Sequence, residues 1–130
     1  MGEFRVALTV DDFDAALAFY RDALGLAQLA DWSGENGRVI LLDAGRATLE
    51  LFDEAQAAYV DGLEAGRRVS GTVRFAVEVA DSDAAARQLV EAGATQVAEP
   101  VDPPWGGRNA RVQAPDGMQL TLFSSSDASG

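Results

Sequence analysis

Apolar and polar residues alternate along residues 4–10, where β-branched and apolar side chains dominate, so a strand is predicted there. The pattern then changes period. Phe13, Ala16, Leu17, Tyr20 and Leu24 fall on one face of a 3.6-residue repeat. Asp11 or Asp12 precedes them as an N-cap and Gly25 stops the helix. Three more strands are read at 27–32, 38–43 and 48–52. The same order returns with a strand at 72–79, a helix at 82–92 stopped by Gly93, and strands at 95–98, 108–113 and 118–123. Asp116-Gly117 reads as a two-residue hairpin turn. Between the two halves, residues 54–64 suit a short helix and 66–70 a loop.

The recurrence extends to the residues themselves. Ala7, Val10, Asp12, Asp14, Ala15 and Ala16 return 69 positions later as Ala76, Val79, Asp81, Asp83, Ala84 and Ala85. Trp32, Gly34, Asn36, Arg38 and Val39 return 73 positions later as Trp105, Gly107, Asn109, Arg111 and Val112. Leu49–Phe52 (LELF) matches Leu120–Phe123 (LTLF) 71 positions later. Three matches in the same order indicate an internal duplication. The fold class is therefore α+β: two βαβββ modules in one domain spanning 1–130. Module one covers about 4–53, a linker 54–70, module two 71–123, and a small polar tail 124–130 is expected to be disordered.

Composition narrows the chemistry. The 130 residues hold no histidine, cysteine or lysine; all ten basic residues are arginine against 21 acids, a net charge of −11. Thiolate or imidazole metal centres, a serine–histidine triad, a thiol nucleophile and a lysine Schiff base are all excluded. An acidic chain argues against nucleic acid, and no apolar run approaches the about 18 residues of a membrane span. No secretory signal is read at the N-terminus, so a cytoplasmic protein is expected.

Period-two alternation puts Arg5, Ala7 and Thr9 on one strand face and Val6, Leu8 and Val10 on the helix-facing side. Likewise Arg74, Ala76 and Glu78 oppose Phe75, Val77 and Val79. Both arginines are thus expected on the sheet face opposite the two module helices.

The strings Val10-Asp-Asp, Ala18-Phe-Tyr-Arg-Asp and Leu24-Gly-Leu26, with Pro115-Asp-Gly117 and Leu120-Thr-Leu-Phe123, resemble those of the vicinal oxygen chelate superfamily. That superfamily includes glyoxalase I, bleomycin-resistance proteins, fosfomycin-resistance enzymes and extradiol dioxygenases. The resemblance covers about residues 4–123. It implies paired modules curling into an open eight-stranded half-barrel around a cavity, and a homodimer. Its metal-dependent members carry four ligands on the cavity face. By resemblance those positions fall here on Arg5, Glu50, Arg74 and Thr121. Guanidinium groups have no lone pair to give a metal, so no metal or other cofactor is expected. Pro104-Trp105-Gly106 looks most like the metal-free bleomycin-resistance branch.

Two readings of these residues stay open. Arg5 and Arg74, held by Glu50, either bind an anionic or carbonyl ligand or form an ion-pair network that replaces the metal structurally. Trp32 and Trp105 either clamp a flat ligand or plug the barrel ends. Phe52 and Phe123 share the face of Glu50 and Thr121 and are wall candidates. Asn36 and Asn109 read as turn formers, and Tyr59 and Asp61 as part of a lid or dimer seam. The function expected is metal-independent binding of a small molecule, sequestering an antibiotic or aromatic metabolite. The alternative is a metal-free isomerase or lyase with Glu50 or Glu78 as base and an arginine steadying an enolate. Two neighbouring arginines are expected to depress the Glu50 pKa, which disfavours that alternative. The global charge favours a cationic ligand, whereas the inward arginines favour an anion or carbonyl.

Overall fold

The computed structural model describes residues 2–125. Most of the expected tail lies outside the described residues, and Ser124 belongs to a strand, not to a tail. Eight strands form one open sheet: β1 Phe4–Thr9, β2 Gln28–Asp31, β3 Val39–Asp43, β4 Thr48–Phe52, β5 Val73–Glu78, β6 Thr95–Gln96, β7 Arg108–Gln113 and β8 Gln119–Ser124. Their order is β2-β3-β4-β1-β5-β8-β7-β6. Each module makes a parallel β1–β4 or β5–β8 pair flanked by hairpins, and the modules join antiparallel through β1 and β5.

Three helices cover this sheet: α1 Phe13–Leu17, α2 Glu54–Ala65 and α3 Ser82–Glu91. The Asp12, Asp53 and Asp81 side chains each accept a hydrogen bond from the N–H three residues on, capping all three. On one face, Phe13 and Leu17 of α1 pack on Ile40, Leu42 and Leu51, with Leu8 and Val10 beside them. On the same face Ala86 of α3 packs on Ala110, Val112 and Leu122. Burying side chains such as Leu42 and Leu51 contributes about 1.5–3 kcal/mol each. The opposite face receives α2, whose Ala57 and Val60 pack on Ala7, Val39 and Phe52.

Two local expectations are corrected. The first helix does not run as one α-helix to Gly25. It widens into π-helical geometry over Ala18–Ala23, with the Leu24 N–H donating to the Phe19 carbonyl. The extra residue per turn rotates Leu24 off the apolar stripe, and both Phe19 and Leu24 are exposed. The last hairpin uses three residues, not two. The Gly117 N–H donates to Ala114 O at 2.9 Å, Ala114 N–H donates to Met118 O, and Gly117 takes φ 93. Pro115 presets the first turn position, and glycine supplies the left-handed one. Among the described residues no helix is long and apolar enough to cross a membrane.

Candidate functional site

The sheet's α2-covered face carries a cavity of about 640 Å³. Its floor follows from strand register. Ala7 lies between Glu50 on β4 and Arg74 on β5. Ala76 lies between Arg5 on β1 and Thr121 on β8. Two methyl side chains at the centre cannot fill the space that the four longer ones surround, so the floor stays open. Phe52, Phe123 and Tyr59 add apolar wall, and Trp32 and Trp105 stand at the rim, each 50% exposed. Tyr59 of α2 approaches Trp105 with ring centroids 6.5 Å apart. Gly37, at φ 137, lets the loop after Trp32 lie against the Gln56 backbone, where a Cβ would collide. The seven residues singled out from sequence (Arg5, Trp32, Glu50, Phe52, Arg74, Trp105 and Thr121) all line this one cavity.

The charged groups on the floor are not equivalent. Arg5 is spent on a residue that the sequence reading passed over: its Nε and Nη2 donate to the two Glu3 oxygens at 2.9 and 2.8 Å. The Arg5 guanidinium also lies over the Phe123 ring at 4.9 Å and the Trp32 ring at 5.4 Å. Glu50 is buried and reaches only to within 3.6 Å of Arg5, too long for a hydrogen bond. No fully enclosed polar side-chain atom among the described residues lacks a partner, so the unbonded Glu50 oxygens face the cavity. Burial pushes the Glu50 carboxyl above its ordinary value and outweighs the pull of Arg5 and Arg74. The expected depression is therefore overturned. Counting charges alone omitted desolvation by burial, which is the larger effect on this carboxyl. Glu78 is not in the cavity: it accepts from the Glu3 backbone N–H and the Ser125 hydroxyl, which removes it as a base.

Arg74 is 5% exposed, and among the described residues only its Nη1 is engaged, donating to the Thr121 hydroxyl at 2.8 Å. No carboxylate among the described residues lies within ion-pair distance of it. The same enclosure argument turns its Nε and Nη2 toward the cavity. Burial lowers its pKa from the ordinary arginine value, against the pull of Glu64, Glu50 and Asp61.

Beside the floor lies a buried network that the sequence reading missed. Arg111, 0% exposed, meets Asp61 and Glu64 of α2, each at 2.9 Å. Glu64 also accepts from the Thr121 hydroxyl at 2.6 Å and from Asn109 Nδ2 at 2.8 Å. Asp61 accepts from Ser70 Oγ, from the Ser70 and Val69 backbone N–H groups and from Arg68. Burial alone would raise the Asp61 pKa, but these hydrogen bonds and Arg111 hold it at about 2. Asn109 is thus a strand residue clamping Glu64, not a turn former, while Asn36 does sit in a turn at the cavity. Tyr59 lines the cavity, whereas Asp61 lies behind it.

The register explains the miss. Glu50 pairs with Leu41, and Thr121 pairs with Arg111. Arg111 therefore occupies the place of Leu41, and the repeated Asn-x-Arg-Val string is three residues out of structural step. Arg38–Asp14 and Arg108–Asp83 are the ion pairs that do correspond, at 2.7 and 2.9 Å. Alternation along β7 was the available signal, since Asn109, Arg111 and Gln113 share one face.

A family model described as Glyoxalase/Bleomycin resistance protein/Dioxygenase superfamily matches residues 4–122. The chain belongs to this superfamily. Solved structures agree in fold. A hypothetical protein from Bacillus halodurans C-125 has 17% identity and a TM-score of 0.69, over 95% of this chain and 93% of that one. A superfamily member from Vibrio splendidus 12B01 has 15% identity and a TM-score of 0.66, over 95% and 98%. Methylmalonyl-CoA epimerase from Mycobacterium tuberculosis has 22% identity and a TM-score of 0.65, over 95% and 87%. No curated protein matches the chain.

The superfamily's metal is tested by the donors present. Arg5 and Arg74 have no lone pair to offer, and Thr121 is a neutral hydroxyl already bonded to Glu64 and Arg74. Among the described residues no three carboxylates, imidazoles or thiols converge. The four positions of this superfamily member do not fit a divalent ion.

Proposed function

We propose that this superfamily member binds a small organic molecule with a planar aromatic body, such as an antibiotic or aromatic metabolite, without a metal. One observation carries the reading: an open cavity with tryptophans at its rim lies over four polar positions whose donors cannot hold an ion. Concave, largely apolar walls with a few convergent polar groups are the usual build of a small-molecule site. Half-exposed tryptophans offer large flat area at low entropic cost. A thermal-shift screen of planar aromatic natural products, with EDTA and with added divalent ions, tests it. A metal-independent rise in Tm supports the reading, and a rise that requires metal refutes it.

A second reading is favoured by one finding, the unbonded, cavity-facing Glu50 with its raised pKa. Such a carboxylate is a better proton acceptor than a salt-bridged one, which suits a metal-free isomerase or lyase. A fold neighbour is itself named an epimerase. In this reading Glu50 takes a proton from a carbon acid and Arg74 steadies the oxyanion that forms. Exchange of a bound ligand's C–H proton in heavy water, lost in Glu50→Gln, is the result expected of the enzyme and not of the binder.

A further inference from the structure

Of the arginines at the cavity and the network behind it, Arg74 alone has no carboxylate within ion-pair distance among the described residues. Arg5 is chelated by Glu3, and Arg111 by Asp61 and Glu64. Arg74 has only a hydroxyl, and that hydroxyl is shared with Glu64 and Arg111. The unengaged atoms are Nε and Nη2, the two that form the side-on fork of a guanidinium. A planar carboxylate fits that fork with two parallel hydrogen bonds. Glu64 and Glu50 act on this buried cation only from beyond ion-pair distance, and a ligand carboxylate would add the missing contact. Ala7, beside Arg74, and Ala76 leave room for it. Phe52, whose ring lies 5.5 Å from the guanidinium carbon, walls the approach.

We propose that the ligand is an organic monocarboxylate, its carboxylate seated on the Nε/Nη2 edge of Arg74 and its planar body directed toward Trp32 and Trp105. This rests on the cavity being a small-molecule site, and it assigns the ligand a negative charge. The protein's net charge of −11 favours a cation only at long range, where salt screens it. At contact distance the free donors are those of the Arg74 guanidinium, and the one other unbonded charged group on the floor, Glu50, accommodates an anion in its protonated form. Glu50 stands on the other side of Ala7 and makes no hydrogen bond of its own among the described residues. Protonated, it would serve as a donor to a bound carboxylate, so anion binding favours the protonated form of Glu50. The charged groups facing it are Arg5, Arg74, Glu64 and Glu3.

The test is isothermal titration of 1-naphthoate and of its neutral isostere 1-naphthamide into the full chain. Wild type is expected to bind the carboxylate at least tenfold more tightly than the amide. Arg74→Met is expected to abolish that preference while still binding the amide, with a cooperative melt showing that it folds. Arg74→Lys keeps the charge but loses the fork, and is expected to lose most of the preference. If Arg74→Met fails to melt cooperatively, Arg74→Lys decides. Equal affinity for acid and amide in wild type overturns the proposal while leaving the binding function intact. So does a preference that survives both substitutions. If neither compound binds, the aromatic small-molecule reading fails and this inference with it.

Discussion

Arg74 and Arg111 are both buried arginines on the same sheet, yet their removal should have opposite consequences. Arg111→Met takes a fully buried guanidinium away from two buried carboxylates, Asp61 and Glu64, each 2.9 Å from it. Gln119 Oε1 also loses its donor. Breaking one side of such a pair costs about 3–5 kcal/mol, and at this chain length about 4 °C of Tm goes with each kcal/mol. A fall of about 12–20 °C follows. Arg74→Met orphans nothing: Thr121 still accepts from Arg111 Nε and donates to Glu64. The variant loses a cation–π contact to Phe52 that contributes about 1 kcal/mol. It also sheds a buried charge with no ion-pair partner, whose desolvation is of at least comparable size. Arg74→Met should therefore melt within about 4 °C of wild type or above it. Circular-dichroism melts of both variants at neutral pH without ligand provide the measurement. If Arg74→Met falls as far as Arg111→Met, Arg74 is a structural ion-pair member and the unpaired-cation argument is wrong.

Three further outcomes are expected. Asp61 ionises near 2 in the folded chain against an ordinary 3.8, so it contributes stability that is present above about pH 4 and lost as pH falls toward 2; denaturant titrations from pH 2 to 5 should show a loss of about 2 kcal/mol that Asp61→Asn abolishes. Glu50 has the opposite sign: its folded pKa lies above 4.5, the folded state holds the proton longer, and its ionisation lowers stability as pH rises from about 4.5 through the folded value. Glu50→Gln should accordingly raise Tm at neutral pH and flatten the decline between pH 4 and 8, and an unchanged profile would show that Glu50 is not desolvated. Trp105→Ala removes a half-exposed ring, so it should barely change Tm but weaken binding of a planar aromatic ligand by about tenfold or more in titration calorimetry.

The sheet and its cavity-facing residues were legible because strand periodicity is strict. Once residues 5–9 and 74–78 are read as strands, Arg5 and Arg74 must share a face, and the module repeat carries Glu50 and Thr121 to their partner strands. What stayed hidden depends on neighbours that no local pattern names. The buried face of α2 carries Asp61 and Glu64 among Ala57 and Val60, so an apolar-period reading sees only half of it. Arg111 looked equivalent to Arg38 by string matching, while strand pairing sets it against Thr121 and alters its role from surface pair to buried anchor. Glu3 stands two residues before Arg5, a same-face spacing that was available as a signal and went unused. The Glu50 pKa was misjudged because the sequence shows which charges are near but not how deeply the carboxyl is buried.

The cavity is proposed to hold an anionic aromatic ligand through Arg74 without a metal. Titration of 1-naphthoate into protein dialysed against EDTA, repeated after adding a divalent ion, tests it most directly. Saturable binding is expected in EDTA, with an affinity that the metal leaves unchanged. Heat that appears only after metal addition, or none under either condition, would contradict it.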